Sequence, residues 1–163
     1  MKKHLLILAT FTLWLSGSAF SDVIRHPLPN NSTFPIASAV EVPAGTTITF
    51  LSGTVPGPAD KTAKPGTPAF YGDTKTQTIS VFERIKQNLE SQGMNMGNII
   101  KLTVFLVGDP DNDNAMDFAG FMEAYVQYFG TKEQPNLPAR SAVQIAGLVR
   151  PLMFVEIEAI TAR

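Results

Sequence analysis

The stretch from Ile99 to Val107 (IIKLTVFLV) constrains this chain most. Ile100, Leu102, Val104 and Leu106 alternate with Lys101, Thr103, Phe105 and Val107. A run so rich in β-branched and large apolar side chains, repeating every two residues, fits a strand with one fully buried face. It lies between two segments of a different period. Asp73 to Gln92 carries Ile79, Phe82, Ile85, Lys86 and Leu89 near a 3.6-residue repeat, which predicts a helix with one polar intrusion in its stripe. Asn114 to Phe129 does the same with Ala115, Phe118, Ala119, Met122, Val126 and Phe129. Gly93 and Gly130 stand where these helices are expected to stop. Two more period-two runs, Ala139 to Ala146 and Met153 to Ala162, close the chain after a polar loop.

Upstream, Ile36 to Val42 and Thr46 to Ser52 are β-rich runs joined by Pro43-Ala44-Gly45, which predicts a hairpin. Residues 53 to 72 hold four prolines and four glycines and read as a long loop. The order strand, strand, helix, strand, helix, strand, strand implies an α+β domain over residues 36–163, one mixed sheet with two helices on one face. Residues 22–35, with three prolines, form an extended lead-in to which no element is assigned. Ahead of them, Lys2 and Lys3 precede an apolar run from Leu5 to Leu15 and then small residues at alternate positions through Ser21. That is the pattern of a secretory signal peptide over 1–21, too short to span a bilayer, and it predicts a periplasmic or secreted protein with no membrane attachment after cleavage.

Composition narrows the chemistry. The 163 residues contain no cysteine, which excludes a disulfide framework, a thiolate metal site and a cysteine nucleophile. The two histidines are His4, inside the expected signal peptide, and His26, in the lead-in. A multi-histidine metal site within one chain is thereby excluded, and a Ser/His/Asp triad would have to rest on His26. Loss of the signal peptide takes the 13 basic residues to 11 against 14 acidic ones, and none of the basic residues cluster, so no nucleic-acid partner is expected. Asp109 to Asn114 spaces carboxylates like a calcium loop but lacks the glycine and terminal glutamate of one; it reads as acidic residues ahead of a helix N-terminus, and no metal is expected.

Strand parity suggests that the sheet face away from the helices holds Arg140, Gln144, Glu156 and Glu158 beside Phe154, Ile160, Phe105 and Val107. Charges among large apolar groups fit a subunit interface with a polar site at its edge, or a cross-strand Arg/Glu pair in a monomer. Arg150 reads as a solvated turn residue, and Tyr125 and the phenylalanines as core or interface packing.

Pro138-Ala139-Arg140-Ser141-Ala142-Val143, followed by Phe154-Val155-Glu156-Ile157-Glu158-Ala159-Ile160, resembles the C-terminal signature of the RidA (YjgF) family of imine/enamine deaminases. Leu51-Ser52-Gly53 with Val55-Pro56, Asn98 to Phe105, and the Tyr125 to Phe129 helix end extend the resemblance from about Phe34 to Ala162. It implies a chorismate-mutase-like fold forming a homotrimer with clefts between subunits. It also implies cofactor-free hydrolysis of small 2-imino and 2-enamino acids to 2-keto acids and ammonia. By the same resemblance Arg140 grips the substrate carboxylate, a task its planar fork of donors suits and lysine's point charge does not. Glu156 assists the attacking water, with Glu158 on the same face as the alternative carboxylate, and groups at Ala142, Ser52 and Gly53 complete the substrate pocket. The chain departs from the family pattern where a tyrosine is usual, in Phe34-Pro35-Ile36, and where an asparagine is usual, at Met122. A non-catalytic trimer binding keto acids in the same cleft is the other reading. Ribonuclease, an older label of the family, is opposed by the acidic balance.

Overall fold

Asp73 starts the long helix. Its carboxylate accepts a hydrogen bond from the Thr76 N–H at 2.8 Å, satisfying one of the donors that a helix start leaves free. The computed structural model, which describes residues 23–163, runs that helix (α2) over Thr74–Ser91. The expected signal peptide lies outside the described residues. Helix α2 ends as its glycine predicts: Gly93 takes φ +71°, its N–H donates to Glu90 O, and the Met94 N–H donates to Leu89 O, closing a Schellman turn. Its buried stripe is Thr74, Gln77, Thr78, Val81, Phe82, Ile85 and Leu89, while Lys86 faces solvent. The stripe therefore begins with three polar residues. The buried Gln77 donates to Gly72 O and Leu152 O and accepts from the Phe154 N–H, which fixes the entry into the last strand.

The remaining elements are β1 (Ile24–His26), β2 (Ala39–Glu41), β3 (Ile48–Thr54), a single-turn α1 (Pro68–Tyr71), β4 (Ile99–Asp109), β5 (Ala115–Met116), α3 (Phe118–Tyr125), β6 (Ala139–Ile145) and β7 (Val155–Ala162). The main sheet runs β3-β7-β4-β6, antiparallel except for the parallel β4/β6 pair, and β5 adds two residues at the far end of β4. Helices α2 and α3 cover one face. Leu102, Val104, Leu106, Val155 and Ile157 are sealed against them with Phe82, Ile85, Leu89, Phe121 and Tyr125. This is the α+β sheet with two helices on one face that the periodicities imply.

Three expectations are corrected. The hairpin of 36–42 with 46–52 does not form: β2 pairs with β1, and β3 pairs with β7. Gly45 at φ +86° turns the chain away, and the β7 edge offers β3 a longer ladder with a buried side at Leu51, which a lone two-stranded ribbon lacks. The lead-in is consequently ordered. Arg25 in β1 donates to the carbonyls of Gly97, Ile99 and Leu137, stapling the ribbon to the body of the protein. The second helix is shorter than its apolar spacing suggests, because Asp113 and Asn114 adopt positive φ and close a small β4/β5 turn before Asp117 caps α3. The acidic run thus folds back on itself, with Asp109 accepting from the Asp111 N–H, rather than serving that helix.

The third correction concerns faces. Register pairs Leu102 with Arg140 and with Ala159, and Leu106 with Gln144 and with Val155, so Arg140, Ala142 and Gln144 lie on the helix-covered side. The open face holds Glu156, Glu158, Phe105, Val143, Val107 and Ile160. Phe154, expected there, is buried just ahead of β7. Alternation within a strand does not specify which parity of one strand meets which of the next.

Candidate active site in two halves

Arg140 leaves β6 toward the helices and meets aromatic rings in place of an acid. Its guanidinium carbon lies 4.3 Å from the ring centre of Tyr125, 5.1 Å from Phe121, 5.4 Å from Phe34 and 5.6 Å from Phe118. Rings at these distances stabilise a cation through their quadrupoles. Nη1 donates to the Met122 sulfur at 3.2 Å, a weak acceptor. Among the described residues no carboxylate lies within salt-bridge distance of Arg140. Burial lowers its pKa from the ordinary arginine value, and no arginine gives up its proton on that account. The group is a half-buried cation with fork donors to spare and, among the described residues, no paired anion. Tyr125, whose phenol burial pushes far above its usual range, donates to Pro35 O at 2.8 Å and so holds the Phe34 segment over the guanidinium.

The second group forms around a bulge. The β3/β7 register shifts between Leu51 and Thr54, and Ser52 and Gly53 occupy the irregularity. Gly53 lies so close under Glu156 that a Cβ added there would overlap Oε1 of the carboxylate. The missing side chain is what leaves room for the carboxylate in this position. Ser52, Lys101, Thr103 and Glu158 line an adjacent open-face hollow of about 290 Å³, with Phe50 and Ile160 as its apolar walls. Lys101 donates to Ser141 Oγ at 2.9 Å across that face.

The structure thus brings Gly53 against Glu156, with the adjoining Ser52 sharing a hollow with Glu158, and sets Arg140 with Ala142 on one face of β6, but it separates the two sets. Glu156 on β7 and Arg140 on β6 are divided by β4, about 10 Å at ordinary strand spacing. They also leave opposite faces of the sheet. Ser52 and Gly53 mark the β3 edge, and Arg140 and Ala142 mark the β6 edge. Chemically, one half can bind a carboxylate bidentately and the other can orient and deprotonate a water. Sequence reading assigned Phe34, Phe118, Phe121 and Tyr125 to packing; their role around Arg140 depends on contacts between elements that no local pattern shows. Arg150 is exposed in a turn, as expected.

A family model described as Endoribonuclease L-PSP matches residues 31–163. TdcF of Escherichia coli, whose assignment as a reactive intermediate deaminase is provisional, is 34% identical over 114 residues, covering 70% of this chain and 78% of its own. A RutC family protein of Pyrococcus horikoshii is 40% identical over 89 residues, 55% of this chain; the match spans only 62% of that relative's length. Among solved structures, E. coli TdcF with bound serine superposes with a TM-score of 0.55 at 32% identity, over 79% of this chain and 92% of that one. The Rid-family protein YyfB of Yersinia pestis, of unknown function, gives 0.63 at 22% identity over 85% and 98%, a likeness of fold. With both halves of the Arg140 and Glu156 signature in a matching fold, and a family match over most of its length, this chain belongs to the RidA (YjgF) family.

Proposed function

We propose that the protein hydrolyses small 2-imino and 2-enamino acids to 2-keto acids and ammonia at clefts between the subunits of a homotrimer. The observation that carries this reading is Arg140, a half-buried guanidinium enclosed by four aromatic rings with no acid partner among the described residues. Maintaining such a cation costs desolvation, which a bound carboxylate repays. An enamine reacts as its imine tautomer. Glu156 orients water against the imine carbon and takes one of its protons as the C–O bond forms and the C=N π pair moves to nitrogen. It then returns that proton to the nitrogen, and the resulting carbinolamine breaks its C–N bond as the hydroxyl proton passes to the departing nitrogen, giving ammonia and the keto group. Ser52 and Gly53 seat the reacting end.

The separation of the two halves supports assembly. In a head-to-tail ring, the β6 edge of one chain meets the β3 edge of the next, so Arg140 of one subunit can face Ser52, Gly53 and Glu156 of its neighbour. The open face, whose apolar groups include Phe50 at 74% exposure and Val143 at 46%, then turns inward. Periplasmic or secreted location belongs to the same proposal and rests on the N-terminal sequence alone.

The test is ammonia release from 2-imino acids generated in situ by an amino-acid oxidase. The mature chain is expected to exceed the spontaneous rate, Arg140→Ala and Glu156→Gln to abolish the excess, and only Arg140→Ala to lose keto-acid binding. A wild-type rate equal to the spontaneous one across several side chains, with keto acids still bound, would favour a carboxylate-binding trimer instead.

A further inference from the structure

We infer that Met122 is a site of reversible oxidation, at which a peroxide converts the thioether to a sulfoxide and so closes Arg140 to carboxylates. The effect on ligands rests on the reading of Arg140 as the carboxylate clamp; the chemistry at sulfur does not.

The chain has no cysteine, so its oxidisable sulfur is methionine alone. Met94, Met96 and Met153 are buried in the core, whereas Met116 and Met122 are half-buried. Among the described residues, Met122 is the one methionine whose sulfur accepts from a charged donor, with Nη1 of Arg140 3.2 Å away. It stands on α3 one turn beyond Phe118, on the side of the guanidinium that the partly exposed Phe34 leaves open.

The same neighbours suit the reaction and hold its product. The sulfur lone pair attacks one oxygen of the peroxide, and an S–O bond forms as the O–O bond breaks. The departing hydroxide takes the proton that the transferred oxygen carried and leaves as water; sulfur loses two electrons and the peroxide gains them. Guanidinium N–H groups beside the sulfur stabilise the charge that develops on the departing oxygen. As a thioether, Met122 is a weak acceptor that an arriving carboxylate displaces from Nη1 readily. A sulfoxide oxygen is a strong acceptor, and on a guanidinium sheltered by four rings its hydrogen bond is charge-assisted and resists displacement. The unbranched methionine side chain has the freedom to bring that oxygen onto the fork without moving the helix.

The test compares wild type, Met122→Leu and Met116→Leu, each before and after hydrogen peroxide. Peptide mass mapping locates the added oxygen, calorimetry follows pyruvate binding, and steady-state rates are taken with the imino acid generated from alanine. In wild type, Met122 is expected to gain one oxygen ahead of the buried methionines. Pyruvate affinity should then fall about tenfold, with KM raised alike and kcat within about twofold, because Glu156 lies in the other half of the site. Methionine sulfoxide reductases of both stereospecificities should restore the affinity. Met122→Leu should keep after peroxide whatever affinity it had before, a comparison with itself that cancels any effect of the substitution on folding, and Met116→Leu should respond as wild type does. Met122 left unmodified, or modified with pyruvate affinity unchanged, would overturn the inference. Untreated wild type that binds no pyruvate would remove the clamp reading and the closure of Arg140 with it, whereas binding without turnover would remove the deaminase reading alone.

Discussion

Glu156 is positioned by the absence of a side chain at Gly53. A methyl group there would overlap the carboxylate oxygen, so Gly53→Ala must displace either the strand or the acid. Because Glu156 is half-buried and its side chain can swing, the expected outcome is a loss of about tenfold or more in imine hydrolysis with little change in melting temperature. Keto-acid affinity, which depends on Arg140, should stay within about twofold of wild type. Thermal melting and titration beside the rate assay check this combination. Arg140 is the contrasting case, since its position depends on an aromatic cluster assembled from two separate stretches of chain, Phe34 and α3. The identity of the arginine was legible in the Pro-Ala-Arg-Ser signature, but its surroundings were not: Phe34 lies more than a hundred residues upstream, and only the fold brings it within reach.

The elements were legible where a local pattern dominates and obscure where tertiary competition decides. β4, β6, β7 and the end of α2 follow from alternation and from one glycine, because each is satisfied by its own sequence. β2 and β3 do not form the hairpin that their spacing suggests, since the β7 edge outcompetes a neighbour three residues away. The α2 stripe, expected through Ile79 and Lys86, instead takes in Thr74, Gln77 and Thr78, because a buried amide such as Gln77, bonded to Gly72 O and Leu152 O, or a buried hydroxyl such as Thr78, bonded to Thr74 O, is indistinguishable in sequence from a solvent-facing one. Helix α2 also makes a pH-dependent prediction. Hydrogen bonds from Thr76 hold the Asp73 carboxyl below its ordinary 3.8, so its capping contribution is present above that value and is lost as pH falls through the lower folded one. Asp73→Ala should cost about 1 kcal/mol at neutral pH and progressively less as pH falls below 3.8, a difference that urea unfolding at neutral and at acid pH resolves.

At the scale of the whole molecule, the separation of Arg140 from Glu156 makes complementation informative. If each site takes its clamp from one chain and its base from the next, Arg140→Ala and Glu156→Gln proteins are both inactive alone but recover activity when unfolded, mixed and refolded together. Random equal mixing leaves about a quarter of the interfaces with both groups intact. Recovery near that fraction is the expected result, and no recovery would mean that both groups act within one subunit. The parallel placement of β6 beside β4 is what puts the clamp on an outer edge, and a sequence with the right strands in the right order does not disclose it, because order along the chain does not specify order in the sheet.

The same two edges carry a liability. The β3 edge and, beyond the Ala37–Ala139 bridge at its start, the β6 edge offer unpaired backbone groups on opposite sides of one sheet, and Phe50 and Val143 stand exposed between them. A unit with complementary ends can add copies indefinitely unless the rotation between them closes. In the proposed ring, closure therefore protects solubility as well as completing a reaction site. A substitution that weakens the ring without unfolding the chain should produce filaments or precipitate rather than a well-behaved monomer.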